Sequence, residues 1–291
     1  MGGSQIWLTT TEELTVDEML KAICVVSAND CVTAMGEYLG GTEENFVKMM
    51  NDKAKELGME DTTFKNCHGI DEEGHVMSSY DIATLSRALL NTYPEIINYT
   101  TIYMDSLRDG KSSLVNTNKL IRNYNGCTGL KTGSTSLALY NLSASASRDG
   151  MNLIAVVMKA PTSKLRFKNA STLLDYGFSN FEYKKLISEG NPVKTVKVNK
   201  GTQDSINAIS QNDVGVLISK GKDMNIEQNI KLDDIISAPI SQGQQIGQIE
   251  YSLNGNIIGE CDLISDAYVE KLGLFTMGKI LLKNWFSLFR M

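Results

Sequence analysis

The sequence predicts an α/β protein, with an antiparallel sheet covered by helices, then a small β-sandwich domain and a C-terminal amphipathic helix. Three observations predict this class. Apolar residues recur at helical spacing over residues 12 to 58, and the period changes to two from Tyr99 onward. Near Glu182 the pattern changes again, to short β-prone runs separated by glycine and asparagine turns. A meander placed between helices is typical of an α/β domain with antiparallel strands.

The first helices are marked by their caps. Thr15 and Glu18 form a T-x-x-E capping box, so a helix is expected to start at about Thr15. Short polar side chains at Ser27–Asn29 interrupt the apolar pattern and favour a turn between two helices. A third helix is expected at Thr42–Gly58 and a fourth at Ser79–Leu90.

The alternating segments predict the sheet. The hairpin sequence Arg148-Asp149-Gly150 predicts antiparallel pairing of the strands on either side of it. A helix is expected after the meander, at Leu165–Tyr176, with its end at Gly177. The four expected strands are Tyr99–Met104, Leu130–Ser134, Leu139–Ser147 and Met151–Lys159.

A β-rich domain follows, with its boundary expected between Phe181 and Pro192. The predicted organisation is a domain over 1–181, a β-rich domain over 182–270 and a terminal helix over 271–291. The strands expected in the β-rich domain are Val193–Val198, Val214–Ile218, Ile246–Leu253 and Ile257–Leu263.

The terminal segment is amphipathic. Residues 273–291 carry Lys279, Lys283 and Arg290 on one face of a helical wheel, no acid, and a wide apolar and aromatic arc. This pattern predicts a helix lying in a membrane interface, with the membrane surface as its partner. A terminal helix docked on the core is the alternative. No signal-peptide pattern opens the sequence, and it has no apolar run long enough to cross a bilayer.

The composition disfavours several kinds of binding site. Lys and Arg number 28 against 34 Asp and Glu, a net charge of −6, which disfavours nucleic-acid binding. Five cysteines at scattered spacings contain no C-x-x-C pair, so neither zinc nor a redox dithiol is expected. His68 and His75 flank an acidic loop rich in glycine, but this spacing alone supplies no convergent ligand geometry. We therefore expect no metal and no cofactor.

Two short motifs carry chemistry. Lys131-Thr132-Gly133 lies on a predicted strand, and Ser27-Ala28-Asn29 lies at the predicted helix–helix turn. A lysine and a threonine hydroxyl on a strand edge can hold a carboxylate, and glycine lets a substrate backbone approach the strand. In this order they match the S-x-N and K-T-G motifs of the penicillin-binding and serine β-lactamase group.

Longer segments resemble one branch of that group, the D-alanyl-D-alanine carboxypeptidases, which are low-molecular-mass penicillin-binding proteins of the S11 serine peptidase family. The resemblance implies a penicillin-binding and β-lactamase-like fold for residues 1–181. It also implies a peptidoglycan stem peptide ending in D-Ala-D-Ala as substrate. The segments that carry it are AICVVSAND (22–30), FKNCHGIDEEGHVMSSYDIATL (64–85), NTNKLIRNYNGCTGLKTG (116–133), SASASRDGMNLIAVV (143–157) and LLDYGF (173–178).

The resemblance also implies roles for individual residues. Ser27 would relay a proton to the departing D-alanine amine, and Asn29 would hydrogen-bond the peptide amide. Lys131 and Thr132 would bind the terminal carboxylate beside Gly133, and the backbone N–H of Ser134 would form half of an oxyanion hole.

Two positions, Ser134 and Thr128, depart from the family pattern, and Asp71 and Arg166 have more than one explanation. Relatives often have an aromatic residue or histidine at Ser134 and an acid at Thr128, which weakens the transfer of substrate contacts there. Asp71 and Arg166 are candidates for loop ordering and carboxylate binding, although an exposed charge or a local ion pair explains each of them equally well.

One departure from the family pattern is large. The acylating serine and its lysine base belong to an S-x-x-K motif that precedes S-x-N. The only S-x-x-K here is Ser219–Lys222, after K-T-G and in a glycine turn. We therefore expect a family member that lacks its N-terminal portion and that is inactive without it.

The full-length protein would be acylated by β-lactams and tethered to the outer face of the cytoplasmic membrane. A catalytically dead module that binds muropeptides or scaffolds cell-wall enzymes is the alternative. A β-lactamase is disfavoured by the extra β-rich domain and the terminal segment.

Overall fold

The computed structural model describes residues 2–221, 225–273 and 278 of the chain. It divides into two compact units, Met1–Asn180 and Phe181–Met291. The terminal helix expected over 271–291 lies outside the described residues, apart from 271–273 and 278. Within the described ranges, no helix has both the length and the apolar character needed to cross a membrane.

The helices of the first unit begin where their caps predict. Thr15 and Glu18 make both bonds of the capping box at the start of α1, and Thr42 and Ser78 accept hydrogen bonds from the first turns of α3 and α4. The helices are α1 Val16–Lys21, α2 Asn29–Gly40, α3 Glu43–Glu56, α4 Ser79–Thr92, α5 Ile97–Thr100, α6 Leu120–Asn123 and α7 Ser163–Asn180.

Two antiparallel sheets complete the first unit. Strands β1 Met104–Leu107 and β2 Ser112–Val115 form a ribbon. Strands β3 Cys127–Thr135, β4 Leu139–Arg148 and β5 Met151–Ala160 form a three-stranded sheet in that order, and α4 and α7 pack on it. Asp149 and Gly150 both have positive φ, 50° and 77°, which is the backbone of the expected tight hairpin.

The strand expected at Tyr99–Met104 is wrong. A single helical turn at Pro94–Ile96 leads into α5, and β1 starts only at Met104. Pro94 supplies the fixed φ of a first helical residue, and Thr101 donates its backbone N–H to Ile97 O in the helical pattern. An apolar run this short does not distinguish strand from helix by period alone.

The end expected for α7 at Gly177 is also wrong, because the helix continues to Asn180. A Cβ on residue 177 would lie 2.4 Å from Leu153 Cδ1 of β5. Gly177 therefore allows α7 to pack closely on the sheet and does not end the helix.

The second unit is built of strands. Strand β6, Phe181–Ile187, pairs with β9, Val214–Ser219, and the other six strands form one sheet in the order β10-β12-β13-β8-β7-β11. Val214 of β9 and Leu263 of β13 belong to one apolar core. The sequence did not predict β6, β8, β10 or β11. The remaining bounds are β7 Pro192–Asn199, β8 Ser205–Ser210, β10 Ile226–Leu232, β11 Ile235–Ser237, β12 Gln245–Leu253 and β13 Asn256–Ser265.

Candidate active site

The corner between α1 and α2 presents Ser27. The chain leaves α1 through a π-helical turn, Ala22–Val26, and Ser27 then takes a left-handed backbone conformation, with φ 62° and ψ 43°. A serine in this region is strained, and π-helical turns are frequent at functional sites. Ala28 is fully buried and donates its N–H to Ala22 O, which fixes the corner from below.

Lys131 of β3 reaches this corner. Its Nζ donates one hydrogen bond to Ser27 Oγ at 2.7 Å and another to Thr132 O at 2.7 Å. The two residues are 104 positions apart in the chain. The two motifs found in the sequence therefore meet, and both side chains are half-buried, within reach of a peptide tail.

The environment of Lys131 changes its acidity. Burial lowers the pKa of its ammonium to about 8, opposed by nearby Cys24 and assisted by the positive charge of Arg166. Near neutral pH Lys131 is mostly protonated, yet close enough to its pKa to give up a proton. Such a group can bind a carboxylate and take part in proton transfer.

Thr132 is buried and shares a hydrogen bond with Thr117, with 2.7 Å between the two hydroxyl oxygens. Thr117 also donates its backbone N–H to Val25 O of the π-helical turn. Thr117 thus joins the K-T-G strand to the S-x-N corner. The sequence analysis did not identify Thr117 as a site residue. Only its position in the N-T-N-K-L segment, which resembles the family, could have indicated such a role.

Gly133 and Ser134 lie on the open side of the site, and both are exposed. A Cβ added to Gly133 would find its nearest neighbour, Asn141 Cβ, at 3.9 Å. Strand β3 is at the edge of its sheet, and among the described residues only β4 pairs with it. An extended peptide can therefore pair with its other side.

Asn29 is buried, and its amide is bound within the chain. Its Nδ2 donates to Gly2 O at 2.9 Å, and its backbone N–H donates to Ser4 O at 2.8 Å. A Cβ on Gly3 would lie 2.4 Å from Asn29 Nδ2, so this approach requires glycine. Asn29 therefore anchors residues 2–4 of the chain. Of the two polar residues of S-x-N, Ser27 is the one that accepts the hydrogen bond from Lys131.

Arg166 lies behind the K-T-G strand. Its Nη1 donates to Gly133 O and to Asn141 O, at 3.1 Å each, and its guanidinium lies over the ring of Phe167. Burial lowers the pKa of this arginine. Arg166 is 6% exposed, and the side chain supports the backbone of Gly133 from inside the unit.

Asp71 connects a separate loop to the end of β3. Its carboxylate accepts a hydrogen bond from Leu137 N at 3.0 Å, in the turn between β3 and β4. The pKa of Asp71 is lowered, chiefly by the Thr135 hydroxyl and further by the backbone N–H groups of residues 136–138. Asp71 therefore holds the loop against the turn that follows K-T-G.

Ser219 of the S-x-x-K sequence belongs to the second unit. It ends β9 and pairs opposite Phe181. Lys222 lies outside the described residues.

Comparison with known proteins identifies the family. Residues 1–162 match the family described as D-alanyl-D-alanine carboxypeptidase, and residues 181–271 match the C-terminal domain of penicillin-binding protein 5. The chain belongs to the D-alanyl-D-alanine carboxypeptidase family.

The chain is similar to individual D-alanyl-D-alanine carboxypeptidases and to solved penicillin-binding proteins. DacF of Bacillus subtilis is 44% identical over 98% of this chain and 74% of its own length. Penicillin-binding protein 5 of Haemophilus influenzae is 31% identical, with a TM-score of 0.68 over 92% of this chain and 78% of that one. Penicillin-binding protein D2 of Listeria monocytogenes, solved in a cefotaxime-bound form, is 34% identical, with a TM-score of 0.55 over 60% of this chain and 71% of that one.

Proposed function

We propose that the first unit carries the substrate-binding and proton-relay half of a serine-type D-Ala-D-Ala carboxypeptidase site. The substrate would be the pentapeptide stem of peptidoglycan, from which the terminal D-alanine is removed. The observation that carries this proposal is the hydrogen bond from Lys131 Nζ to Ser27 Oγ, which joins the two motifs.

Each group has a task in binding. The stem peptide pairs in extended form with the free edge of β3, and its terminal carboxylate lies at the Lys131 ammonium and the Thr132 hydroxyl. Arg166 and Thr117 act as positioning residues, since one holds Gly133 O and the other holds the Thr132 hydroxyl.

The chemical step needs a nucleophile and a proton path. A serine hydroxyl attacks the carbonyl carbon of the scissile bond while the lysine of its S-x-x-K segment takes the hydroxyl proton, the C–N bond breaks, and an acyl-enzyme forms. The departing D-alanine amine takes a proton from Ser27, and Lys131 replaces it through the hydrogen bond to Ser27 Oγ. Water then hydrolyses the ester, releasing the shortened stem.

The nucleophile belongs to an S-x-x-K segment that the family pattern places ahead of S-x-N. The one S-x-x-K within the 291 residues follows K-T-G and starts in the second unit. We therefore propose that the 291-residue polypeptide does not form an acyl-enzyme by itself. We expect β-lactam acylation to require an S-x-x-K segment ahead of S-x-N. The similar Listeria protein, which was solved in a cefotaxime-bound form, supports β-lactam binding by the complete site.

Fluorescent penicillin tests this proposal. We expect no covalent label on the 291-residue polypeptide and labelling after the S-x-x-K segment of a relative is joined ahead of Met1. In that fusion, Lys131→Ala should reduce labelling at least tenfold, whereas Lys184→Ala, an exposed lysine of the second unit, should not. Labelling of the 291 residues alone, or full labelling of the Lys131→Ala fusion, would contradict the proposal.

A catalytically dead module that binds muropeptides is the second candidate, favoured by the position of the sole S-x-x-K. It predicts binding of the stem peptide without penicillin labelling of the fusion.

We also propose that the protein works at the outer face of the cytoplasmic membrane, with residues 273–291 on the membrane surface. The support is the basic and aromatic pattern of that segment. Sedimentation with anionic lipid vesicles tests it: loss of binding on removing 274–291 is expected, and unchanged binding would contradict it.

A further inference from the structure

A basic groove lies between α6 and α7 in the first unit. It has a volume of about 460 Å³ and is lined by ammonium, amide and hydroxyl groups together with two apolar side chains. The apolar lining residues are Leu120 and Phe167, and the polar groups belong to Lys119, Asn123, Ser163, Lys164, Lys168 and Ser171.

The charge of this groove is of one sign. Three lysines line it and no acidic residue does, although the whole chain has a net charge of −6. No carboxylate of the described residues lies within ion-pair distance of these lysines. Asp175, one turn further along α7 from Ser171, is engaged by the Tyr124 hydroxyl at 2.8 Å. The groove thus holds positive charge that no carboxylate of the described residues pairs with.

The groove is linked to the K-T-G strand. Ser163 at its rim accepts a hydrogen bond from Arg166 Nη2, and Arg166 donates to Gly133 O. A single arginine therefore connects one end of the groove to the backbone beside which the substrate tail would lie.

We propose that this groove binds carboxylates of polymeric peptidoglycan, on stem peptides other than the one being trimmed. The inference rests on the proposed function, because the same polymer must place one stem at Lys131. Several spaced carboxylates match three exposed ammonium groups set along a groove, and the serine and asparagine side chains add hydrogen bonds. The short D-Ala-D-Ala tail does not need the groove, so the groove gives preference for polymer over free peptide.

Sedimentation of the 291-residue protein with purified peptidoglycan sacculi tests the groove. Lys164→Glu/Lys168→Glu should lower the affinity for sacculi at least fivefold, and Lys164→Arg/Lys168→Arg should retain it. The matched control, Lys55→Glu/Lys111→Glu, makes the same change of charge at two exposed lysines of the same unit and should have little effect. Wild-type affinity in the Lys164/Lys168 reversal variant would overturn the inference.

Chemical treatment of the sacculi identifies the ligand. Amidation of their carboxylates with carbodiimide and an amine should lower wild-type affinity by at least the same factor, because it also removes the carboxylate bound at Lys131, and it should abolish the difference in affinity between the wild type and the reversal variant. Removal of phosphate polymers with hydrofluoric acid should leave affinity unchanged, and a loss at that step would overturn the carboxylate assignment in favour of a phosphate ligand.

A short acyl-D-Ala-D-Ala peptide separates the two proposals. It should bind the wild type and the reversal variant equally. A different outcome is that the peptide binds neither protein while the reversal variant still binds sacculi more weakly than the wild type. In that case the proposed function fails and the groove remains a site for anionic polymer.

Discussion

Lys131 places an ammonium group where burial disfavours its positive charge. The hydrogen bonds to Ser27 and to Thr132 O compensate part of the lost hydration. Because the folded pKa is below the ordinary value of 10.5, the cost of burying the charge is fully present below about pH 8. It is relieved as pH rises from the folded toward the unfolded pKa.

Binding of a D-Ala-D-Ala peptide should therefore weaken in alkali. The peptide carboxylate stays ionised, while Lys131 loses its proton above about pH 8. We expect affinity to fall about tenfold by pH 9. Calorimetric titration from pH 6 to 9.5 measures this, with Lys131→Gln as the control that removes the dependence. A pH-independent affinity in the wild type would contradict the role of Lys131.

The backbone of Ser27 permits a second test. Ser27→Gly and Ser27→Ala both lose the bond to Lys131, but only glycine relieves the left-handed conformation, with φ 62°. We expect the glycine variant to be more stable than the alanine variant by about 1 kcal/mol. Urea denaturation compares the pair, and equal stabilities would show that the corner relaxes without strain.

The residues that sequence reasoning found and missed differ in how their roles arise. Lys131 and Ser27 lie in contiguous triplets, so each could be predicted from its own triplet alone. The contacts of Thr117 with Thr132 and of Arg166 with Gly133 O form between segments that are distant in the chain. No residue spacing in the sequence predicts such contacts.

At the scale of elements, helix caps and turns were predicted correctly where neighbouring residues alone determine the local structure. The Thr15 capping box and the Asp149-Gly150 hairpin are examples. The errors came where packing decides. The run at Tyr99–Met104 joined a helical turn, and Gly177 serves the contact of α7 with β5.

Gly177→Ala tests that contact. Alanine favours helix, but its Cβ would lie 2.4 Å from Leu153 Cδ1. We expect a net loss of stability of about 1–2 kcal/mol from overpacking. Ser179→Ala, exposed on the same helix, is the matched control in thermal unfolding. A stabilised Gly177→Ala variant would mean that α7 and β5 do not pack in this way.

Asp71 tests the connection between its loop and the turn after β3. Its folded pKa is lowered, so its contribution to stability is present above the unfolded pKa and is lost as pH falls through the folded value. We expect Asp71→Asn to lower the hydrogen-exchange protection factor of the Leu137 amide at neutral pH, as acid does in the wild type once the intrinsic rate is accounted for. Asp149→Asn, at an exposed hairpin tip, should not; unchanged exchange in Asp71→Asn would refute the connection.

At the scale of the whole molecule, the candidate site lies entirely within the first unit, while the second has its own core around Val196, Ile249 and Leu263. The sequence predicts a boundary between Phe181 and Pro192, because short strands with frequent turns differ from helices at regular spacing. It did not give the order of the six-stranded sheet, which depends on pairings far apart in the chain.

The most direct measurement compares two ligands on the 291-residue protein, an acyl-D-Ala-D-Ala peptide and the same peptide with its terminal carboxylate converted to an amide. Charge-assisted hydrogen bonds from Lys131 and Thr132 should favour the acid by at least about tenfold, and Lys131→Gln should abolish the preference. Equal affinity of the wild type for both peptides would show that the corner of Ser27 and Lys131 is not a carboxylate site.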